Sequence, residues 1–517
     1  GQSVIPLLGG HSGANNLANI LSRILKVKSS TTTAGDTRYG VALDSPPVGW
    51  RVVNRDAAKP IMAALLNNEA VSIRNDTLES VDKSWLAEFN FIATGRATQK
   101  VWVTYSNLHE KSNDLILAPG VLALGIGCER GVNSDDLATF LSVIFKKYNL
   151  SKQAVACIAT IDIKEDEKAI RAVADLWKVP VRLFEAAMLE KETPRVSDPS
   201  DYVFTTVGSH SVSEASALAA AGPDSQLVMP KQKSKGITCA VALSPHIINP
   251  GKVGRGCGRL AVIGIGPGSN DWRAPEATNE ISRATEVVGY KLYLDLLGPL
   301  INGKNRHDYS LGEERDRVAE ALRLAAEGKE VALISSGDPG IYAMACLVFE
   351  LIEHGPLGNV KPEWQRIDVH VVPGISALQA AAAKIGAPLG HDFCTISLSD
   401  LLTPWEVIEG RLKAAAVGDF VIALYNPVSI KRRKQIGFAR DILLEYRPAA
   451  TPVVLAKNLG RGEEKIDVIS LSELDYKKVD MLTVVLIGSS QTQLMKLNSG
   501  KEYVYTPRGY GDKKEKF

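Results

Sequence analysis

The sequence predicts a multidomain protein of the α/β class. Apolar runs of about four to eight residues, bounded by glycine, proline, asparagine and aspartate, recur along the chain and are typical of buried strands. Many of these runs alternate with segments that have the helical spacing of apolar residues, which favours parallel sheets. The length of 517 residues exceeds what a single hydrophobic core supports, so we expect about three domains.

The composition excludes several classes of partner. Hydrophobic residues make up 45% of the chain and charged residues 23%, and the formal net charge is +2, so no overall field would attract nucleic acid. No apolar run is long enough to span a bilayer and no signal peptide opens the chain, so we expect a cytoplasmic protein without a membrane partner. The six cysteines form no CxxC pair, which favours free thiols in a reducing compartment and gives no sign of a metal site.

The chain begins abruptly. Residues 3–8 have the pattern of a strand, and the glycine-rich segment Gly9–Asn15, which contains His11, leads into a helix. A domain rarely starts within a strand, so we expect that residues preceding this region are missing. The segment Thr32–Asp36 follows, and short strands alternate with polar loops between residues 50 and 110. His11 is a candidate site residue, but a histidine among glycines can also serve only to satisfy backbone groups.

Residues 113–248 have the alternating pattern of an α/β domain. A strand is predicted over 154–161 and an amphipathic helix over 165–177. Asn133 is placed to cap a helix with acidic residues in its first turn. Ser211 and Glu214 have capping-box spacing before an alanine-rich helix.

Two features of this region bear on function and on domain limits. Glu129 follows a strand and is a candidate site residue, although pairing with Arg130 is the simpler interpretation. The glycine-rich, basic segment 249–258 predicts a linker to the second half of the chain.

The second half opens on the strand Leu260–Ile263 and the glycine loop Gly264–Gly268. This loop is the obvious candidate for a dinucleotide site, but Ser269 replaces the third glycine of that fingerprint and Pro267 lacks an amide that would bind a pyrophosphate. The next helix is predicted to begin only near Pro275, and no acidic residue ends the strand that follows. A plain βα turn and a different nucleotide site both stay open at this point.

Three further loops follow apolar strands in the same way. They are Ser336–Tyr342, Val372–Ala377 and Leu424–Pro427, after strands predicted at 331–334, 369–372 and 420–424. Ligands bind at the carboxyl ends of strands in open α/β sheets. Four such loops could therefore line one pocket.

This ordered set of loops resembles the tetrapyrrole (corrin and porphyrin) methyltransferases. The run from Gly390 to Glu406 is similar to the branch of that family that methylates C17 of precorrin-3B and contracts the ring. The resemblance implies two lobes, at 259–374 and 375–500, with S-adenosyl-L-methionine (SAM) in the cleft between them. Residues 501–517 are expected to be a tail.

The resemblance also implies which residues contact the methionine and ribose ends, the sulfonium and the adenine of SAM. These residues are Gly266, Pro267, Gly337, Asp338, Ile341, Tyr342, Ser376, Ala377, Tyr425, Asn426, Ala456, Asn458, Thr483 and Val484. Backbone groups of glycine and proline turns can satisfy the edges of a base, and a carboxylate can serve a cationic amine or a hydroxyl. The alternative for Asp338 alone is an ordinary turn cap.

The implied substrate carries many carboxylates, which basic side chains would bind. The candidates are Lys291, Lys431, Arg432 and Arg433, although the last three also fit a solvated helix start. A general base would help the reaction. The polar residues of the branch-specific segment, His391, Asp392, Ser397 and Asp400, fit buried or capping roles better, so the catalytic residues are not identified.

The first half resembles the cobalt-precorrin-5A hydrolases, through the motifs Gly9–Asn15 and Thr32–Asp36 and through the segments 125–131, 159–167 and 207–215. Residues 1–112 correspond to a truncated N-terminal and middle region, and residues 113–248 to the C-terminal domain. The resemblance implies opening of a δ-lactone with loss of acetaldehyde, which needs a base and an oxyanion site. Only His11 and Glu129 are weak candidates.

Together the two resemblances predict hydrolase-like α/β domains followed by a two-lobed methyltransferase, both acting in cobalamin synthesis. One alternative is that the first half is a non-catalytic corrinoid-binding module. Another is that the glycine loop serves an NAD(P)-dependent oxidoreductase. The substrate can be precorrin-3B or its cobalt counterpart, cobalt-factor III, and a homodimer is possible by analogy with the family.

Overall fold

The structure is a computed structural model that describes residues 3–5, 14–30, 42–92, 97–108, 113–429 and 432–509. The chain divides into two compact units, Gly1–Cys257 and Gly258–Phe517. The predictions for His11, most of Gly9–Asn15, Thr32–Asp36 and Lys431 lie outside the described residues.

The first unit alternates strands with helices. Its strands are β1 (Ser3–Val4), β2 (Lys28–Ser29), β3 (Trp50–Val52), β4 (Val71–Asn75), β5 (Gln99–Val103), β6 (Leu115–Pro119), β7 (Leu122–Cys128), β8 (Val155–Ile161), β9 (Val181–Phe184), β10 (Gln226–Ser234) and β11 (Ile237–Leu243). Its helices are α1 (Ala14–Leu25), α2 (Ala58–Leu66), α3 (Ser134–Lys147), α4 (Lys168–Trp177), α5 (Ala186–Glu190), α6 (Asp201–Val207) and α7 (Ser213–Ala221).

Two sheets organise this unit. One has the order β3-β6-β5-β4, and the other has the order β10-β11-β7-β8-β9. The prediction of parallel pairing is correct for β7, β8 and β9 but wrong for β10 and β11: β11 pairs antiparallel with β7, and β10 pairs antiparallel with β11 through a hairpin turn. Helices α3 and α4 pack on one face of the second sheet and α7 on the other, so its central strands β7, β8 and β11 are buried on both sides.

The segment 249–257 is bound to this unit and is not a free linker. The backbone N–H of Leu183 donates to the carbonyl of Arg255 at 2.8 Å, and the reverse bond is 2.9 Å long. The side chain of Arg182 donates to the carbonyl groups of Val253 and Gly254. The basic composition suggested a linker, but these bonds extend the edge strand β9.

One predicted helix cap is confirmed and one is wrong. The side chain of Asn133 accepts hydrogen bonds from the backbone of Asp135 and Asp136 at the start of α3. Helix α7 has no side-chain cap, because Glu214 points elsewhere. Its carboxylate is fully buried and accepts bonds from Ser197 N and Oγ, Asp198 N and Lys231 N.

Changing Glu214 to glutamine should therefore destabilise the first unit. The amide NH2 would face backbone donors in place of an acceptor, which costs about 1–3 kcal/mol of unfolding free energy. The midpoint of guanidinium denaturation should fall. The matched change Asp224→Asn, at an exposed position, should leave the midpoint unchanged; equal midpoints for both variants would contradict the burial of this carboxylate.

The second unit contains two lobes. Its strands are β12 (Arg259–Gly264), β13 (Glu286–Tyr290), β14 (Asn305–Tyr309), β15 (Glu330–Ser335), β16 (Asp368–Val372), β17 (Gly386–Ala387), β18 (Phe393–Ser397), β19 (Val421–Tyr425), β20 (Pro452–Lys457), β21 (Lys465–Ser470), β22 (Thr483–Ile487), β23 (Gln493–Lys496) and β24 (Glu502–Tyr505). Its helices are α8 (Pro275–Arg283), α9 (Lys291–Asp295), α10 (Glu314–Ala326), α11 (Met344–His354), α12 (Ala377–Ile385), α13 (Trp405–Val417) and α14 (Gln435–Leu444).

The sheets of the two lobes differ in direction. The first lobe has an all-parallel sheet in the order β14-β13-β15-β12-β16, as the sequence predicts. The second lobe has the order β18-β19-β22-β20-β21, in which only β18 and β19 are parallel. Because strands β12, β15 and β16 are parallel neighbours, the loops that follow them meet at one edge.

The predicted tail is partly a strand. Within residues 501–509, β24 pairs with β17 and β23 in a small sheet, and Val504 is buried against the cluster that contains α12. The remaining residues, 510–517, lie outside the described part of the chain. Among the described residues, none of the helices has the length and hydropathy needed to cross a bilayer.

Candidate functional site

The glycine loop after β12 is joined to the loop after β15. The N–H of Gly337 donates to the carbonyl of Gly266 at 2.8 Å, and the N–H of Gly266 donates to the carbonyl of Gly337 at 3.3 Å. Both glycines have positive φ, of +73° and +67°, which other residues rarely adopt. The sequence GIGPG therefore folds into a turn that pairs with a second turn.

A third loop, after β16, closes on the same point. A Cβ on Gly264 would lie 2.4 Å from the carbonyl oxygen of Gly337, and a Cβ on Gly374 would lie 2.1 Å from that oxygen. These distances leave no space for a side chain. The backbones of three loops are therefore in contact at this point.

Asp338 links two of these loops through its carboxylate. One oxygen accepts the N–H of Gly340 at 2.8 Å and the other accepts the N–H of Gly374 at 3.1 Å. The turn-capping interpretation is thus correct for Asp338. Ile341 belongs to the same turn, since its N–H donates to the carbonyl of Asp338.

The start of α12 brings in the second lobe. Ser376 caps this helix in a capping box with Gln379. The phenol oxygen of Tyr425, at the end of β19, accepts the N–H of Leu378 at 3.1 Å. Burial raises the pKa of the Tyr425 phenol, which therefore stays protonated and keeps a proton to donate.

Tyr342 bridges the two lobes on the other side. Its hydroxyl donates to the carbonyl of Thr395 at 3.0 Å, and its ring lies 5.3 Å from the ring of Tyr425, centre to centre. Tyr342 has a φ of +51°, a conformation that costs energy in a residue other than glycine. The side chain is half exposed, so its ring presents a face at the edge of the cleft.

The remaining predicted cofactor residues lie on the second lobe next to these. Ala377, Tyr425, Ala456 and Val484 belong to one apolar cluster, and Ala456 pairs with Val484 between β20 and β22. The carbonyl of Leu482 accepts the N–H of Asn458, and Asp480 fixes the hydroxyl of Thr483. Asn426 donates to the hydroxyl of Ser397. Ala377, Tyr425, Ala456 and Val484 thus lie together, whereas Asn426, Asn458 and Thr483 are held by residues outside the predicted set.

The structure also shows a residue that the sequence interpretation missed. Arg461 follows β20 and donates to the carbonyl of Pro267 and to the hydroxyl of Ser336. The only signal in the sequence is an arginine between glycines after an apolar strand, which is too common a pattern to assign a role.

The predicted substrate-binding residues are not gathered in one place. Lys291 is exposed at the start of α9 in the first lobe, and Arg433 is exposed near the start of α14 in the second. Arg432 is largely buried: it donates to the hydroxyl of Ser399 and the carbonyl of Asn426 and lies 3.7 Å from Asp400. Much of the hydrogen-bonding capacity of Arg432 is already used within the protein. Its role in binding the carboxylates of the substrate stays a prediction.

In the first unit the predicted pairing of Glu129 with Arg130 is wrong. Arg130 pairs with Asp166 at 2.5 Å, across the edge of the sheet, because the loop after β8 lies there. Burial raises the pKa of the neighbouring Cys128 to about 11, which makes it a poor nucleophile at neutral pH. Among the described residues, no cluster of three His, Cys, Asp or Glu side chains could hold a metal ion.

A histidine–carboxylate pair in the first unit was also missed. His210 Nδ1 lies 2.8 Å from Glu190 Oε1, and the ring of His210 stacks on Phe204 with centres 4.5 Å apart. In the sequence, the segment 207–215 was noted for its helix-capping pattern and for the family resemblance, but His210 was not singled out. A carboxylate that fixes Nδ1 orients the other ring nitrogen, as in many general bases.

Thiol reactivity offers a direct check on the burial in both units. Cys157 and Cys239 are fully buried and their pKa values are raised by burial to about 12, whereas Cys346 is exposed on α11. Iodoacetamide at pH 7.5 should therefore modify Cys346 in the native protein while Cys157 and Cys239 stay unmodified, as peptide mass mapping would show. In guanidinium all three should react. Rapid native modification of either buried thiol would contradict the fold.

Comparison with known proteins gives the same division of the chain. The family described as tetrapyrrole (corrin/porphyrin) methylases matches residues 259–475. Two families described as cobalamin synthesis G, C-terminus and N-terminal, match residues 122–242 and 1–36. These matches fall on the second and the first unit, respectively.

Individual proteins match the second unit. The precorrin-3B C(17)-methyltransferase of Sinorhizobium sp is 46% identical over 253 residues, which cover 49% of this chain and 97% of that protein. A probable cobalt-factor III C(17)-methyltransferase of Salmonella typhimurium is 43% identical, covering 48% and 99% of the two chains. The crystal structure of the methyltransferase CobJ is 41% identical, covers 48% of this chain and 100% of its own, and has a TM-score of 0.45.

Some other relatives are longer, and this chain spans about half of their length. The relative from Sinorhizobium, in contrast, is covered almost completely at high identity. The chain therefore belongs to the tetrapyrrole (corrin and porphyrin) methylase family.

Proposed function

We propose that the second unit transfers a methyl group from SAM to C17 of precorrin-3B or cobalt-factor III, in a reaction that also contracts the ring. Relatives named for each of these substrates are covered almost over their whole length. The observation that carries the proposal is the meeting of the bare backbones at Gly264, Gly337 and Gly374 beside the start of α12. That arrangement suits a flat nucleoside bound by peptide groups.

The residues present fit SAM as the methyl donor. The loops leave no room for side chains at their meeting point, and the buried hydroxyl of Ser335 has no hydrogen-bond partner among the described residues. The Tyr425 phenol and the apolar cluster with Ala377, Ala456 and Val484 provide a protonated donor and an apolar wall. When bound, SAM supplies a methyl group on a sulfonium, which needs no metal to activate it.

The contribution of the chain is then positioning and exclusion of water. Holding two reactants in line can supply several powers of ten in rate. Asp338 fixes the turn at Gly337 and Gly374, and the tyrosine pair Tyr342 and Tyr425 links the two lobes across the cleft. The exposed side of the Tyr342 ring would then be the side open to the substrate.

An NAD(P)-dependent oxidoreductase is the main alternative. It is disfavoured because Pro267 lacks an amide, α8 begins only at Pro275, and β13 ends in Tyr290 rather than in an acidic residue that would bind a ribose. Titration calorimetry separates the two: S-adenosyl-L-homocysteine (SAH) should bind and NADH should not.

The proposed reaction is tested by incubating the full chain with SAM and with each macrocycle separately. Mass spectrometry should show one added methyl group and an equal amount of SAH. The macrocycle that is methylated faster shows whether the cobalt-containing form is the substrate. If SAM is not consumed with either macrocycle, the proposal is overturned.

The first unit is proposed to hydrolyse a lactone of a corrin precursor, with His210 as the candidate base and Glu190 as its orienting carboxylate. The observation that favours this is the contact of 2.8 Å between them. Incubation with cobalt-precorrin-5A should release acetaldehyde, and His210→Ala should suppress the release. Binding of the macrocycle without acetaldehyde would instead indicate a corrinoid-binding module.

A further inference from the structure

Arg461 joins two first-lobe loops to the second lobe. Its Nε donates to the carbonyl oxygen of Pro267 at 2.8 Å, and its Nη2 donates to the hydroxyl oxygen of Ser336 at 2.8 Å. The guanidinium also lies 5.6 Å from the centre of the Tyr293 ring. Pro267 directly follows Gly266, and Ser336 directly precedes Gly337. These are the two glycines whose backbones pair.

The segment that carries this arginine is itself held in place. We name residues 458–464 the clasp. Within the clasp, the N–H of Arg461 donates to the carbonyl of Asn458 at 3.0 Å. The carboxylate of Glu464 accepts the N–H of Gly460 and the ammonium of Lys384, on α12, both at 2.7 Å. Lys384 lies in the last turn of α12, so the C-terminal end of this helix anchors the clasp, whereas Ser376 caps its N-terminal end.

The clasp and the glycine loop fit closely. A Cβ on Gly268 would lie 2.6 Å from the Cγ of Arg461, and a Cβ on Gly460 would lie 3.0 Å from the backbone nitrogen of Ser269. Such contacts along the arginine stem add to the two hydrogen bonds. The position of the Gly266–Gly268 turn is therefore set partly by a residue of the other lobe.

The partners of Arg461 indicate positioning rather than charge neutralisation. Among the described residues, no carboxylate lies within ion-pair distance of its guanidinium, and both hydrogen bonds go to uncharged oxygen atoms. Hydrogen bonds from a charged donor are roughly twice as strong as those between neutral groups. Two of them on adjacent loops fix the distance between those loops.

We infer that Arg461 is a positioning residue for the nucleoside cofactor, acting through the Pro267 and Ser336 loops. The inference rests on the proposed function of the second unit. Without this arginine the two loops lose their common anchor, and the paired glycines no longer hold one geometry. The residue is not required to touch the cofactor.

The test compares Arg461→Ala and Arg461→Lys with Arg283→Ala. Arg283 is an exposed arginine of the first lobe that pairs with Glu330 at 3.0 Å, at the opposite end of β15 from Ser335. Calorimetry with SAH should show binding weakened by about tenfold or more for alanine, the loss expected from removing one charged hydrogen bond. The lysine variant should be intermediate, because it keeps a donor but not the forked geometry. Arg283→Ala should bind as the wild type does.

A second readout needs no cofactor. Hydrogen–deuterium exchange of the full chain without ligand should become faster at residues 265–268 and 336–340 in Arg461→Ala and stay unchanged in Arg283→Ala. Unchanged exchange there, or SAH affinity within twofold of wild type, would overturn the inference. If the wild type does not bind SAH but hydrogen–deuterium exchange in Arg461→Ala changes as expected, the proposed function fails and the anchoring by Arg461 stands. The two failures are therefore distinguishable.

Discussion

Replacing Gly374 with alanine is expected to abolish measurable SAH binding to the second unit. The added Cβ would lie 2.1 Å from the carbonyl oxygen of Gly337 and 2.8 Å from the backbone of Gly264. Both neighbours are backbone atoms that cannot rotate away, so the loops must separate. A displacement of about 1 Å in a binding site can cost about a hundredfold in function.

A matched alanine substitution is available at Gly410. This glycine lies in the middle of α13, where an added Cβ would meet nothing within 4 Å. Gly410→Ala should keep full SAH affinity and raise stability slightly, by up to about 1 kcal/mol, because alanine favours the helix. Calorimetry and thermal melting on both variants make the comparison. SAH affinity within twofold of wild type for Gly374→Ala would show that the three loops do not form the site.

The second large effect is expected for Asp338→Asn. The two carboxylate oxygens accept the N–H groups of Gly340 and Gly374, at 2.8 and 3.1 Å. An amide of the same shape has only one acceptor, so one backbone donor would face an NH2 group. The cost of about 1–3 kcal/mol corresponds to a loss of about ten- to a hundredfold in SAH affinity if the loop geometry is needed for binding.

Two measurements separate the possible roles of this carboxylate. If Asp338 acts only on the loops, the thermal stability of the protein without ligand should fall together with the SAH affinity. If it also bonds the cofactor, affinity should fall further than stability. Asp271→Asn, at an exposed position of the same lobe, is the control and should change neither. Unchanged affinity in Asp338→Asn would remove this residue from the site.

The first lobe was predictable because its signals are local. Strands β12, β15 and β16 are mostly apolar runs that end at a glycine or within two residues of one, and parallel order follows from the alternation with helices. The loops at Gly264, Gly337 and Gly374 could be placed at one edge for that reason alone. The resemblance then assigned a cofactor to them.

The features that the sequence analysis missed depend on contacts between residues that are far apart in the sequence. Glu214 has capping-box spacing, but its carboxylate is satisfied by Ser197 and by the backbone of Lys231, which are distant in the sequence. Arg461 lies 194 residues from Pro267, and no local pattern indicates that contact. The antiparallel strands β10 and β11 followed from a hairpin that the βα pattern does not reveal.

The most direct measurement is a crystal structure of the full chain with SAH. We expect this structure to show one nucleoside per chain, enclosed by the loops at Gly266, Gly337 and Ser376 and by Tyr425. A nucleoside bound elsewhere, or a nicotinamide dinucleotide held by these same loops, would contradict it.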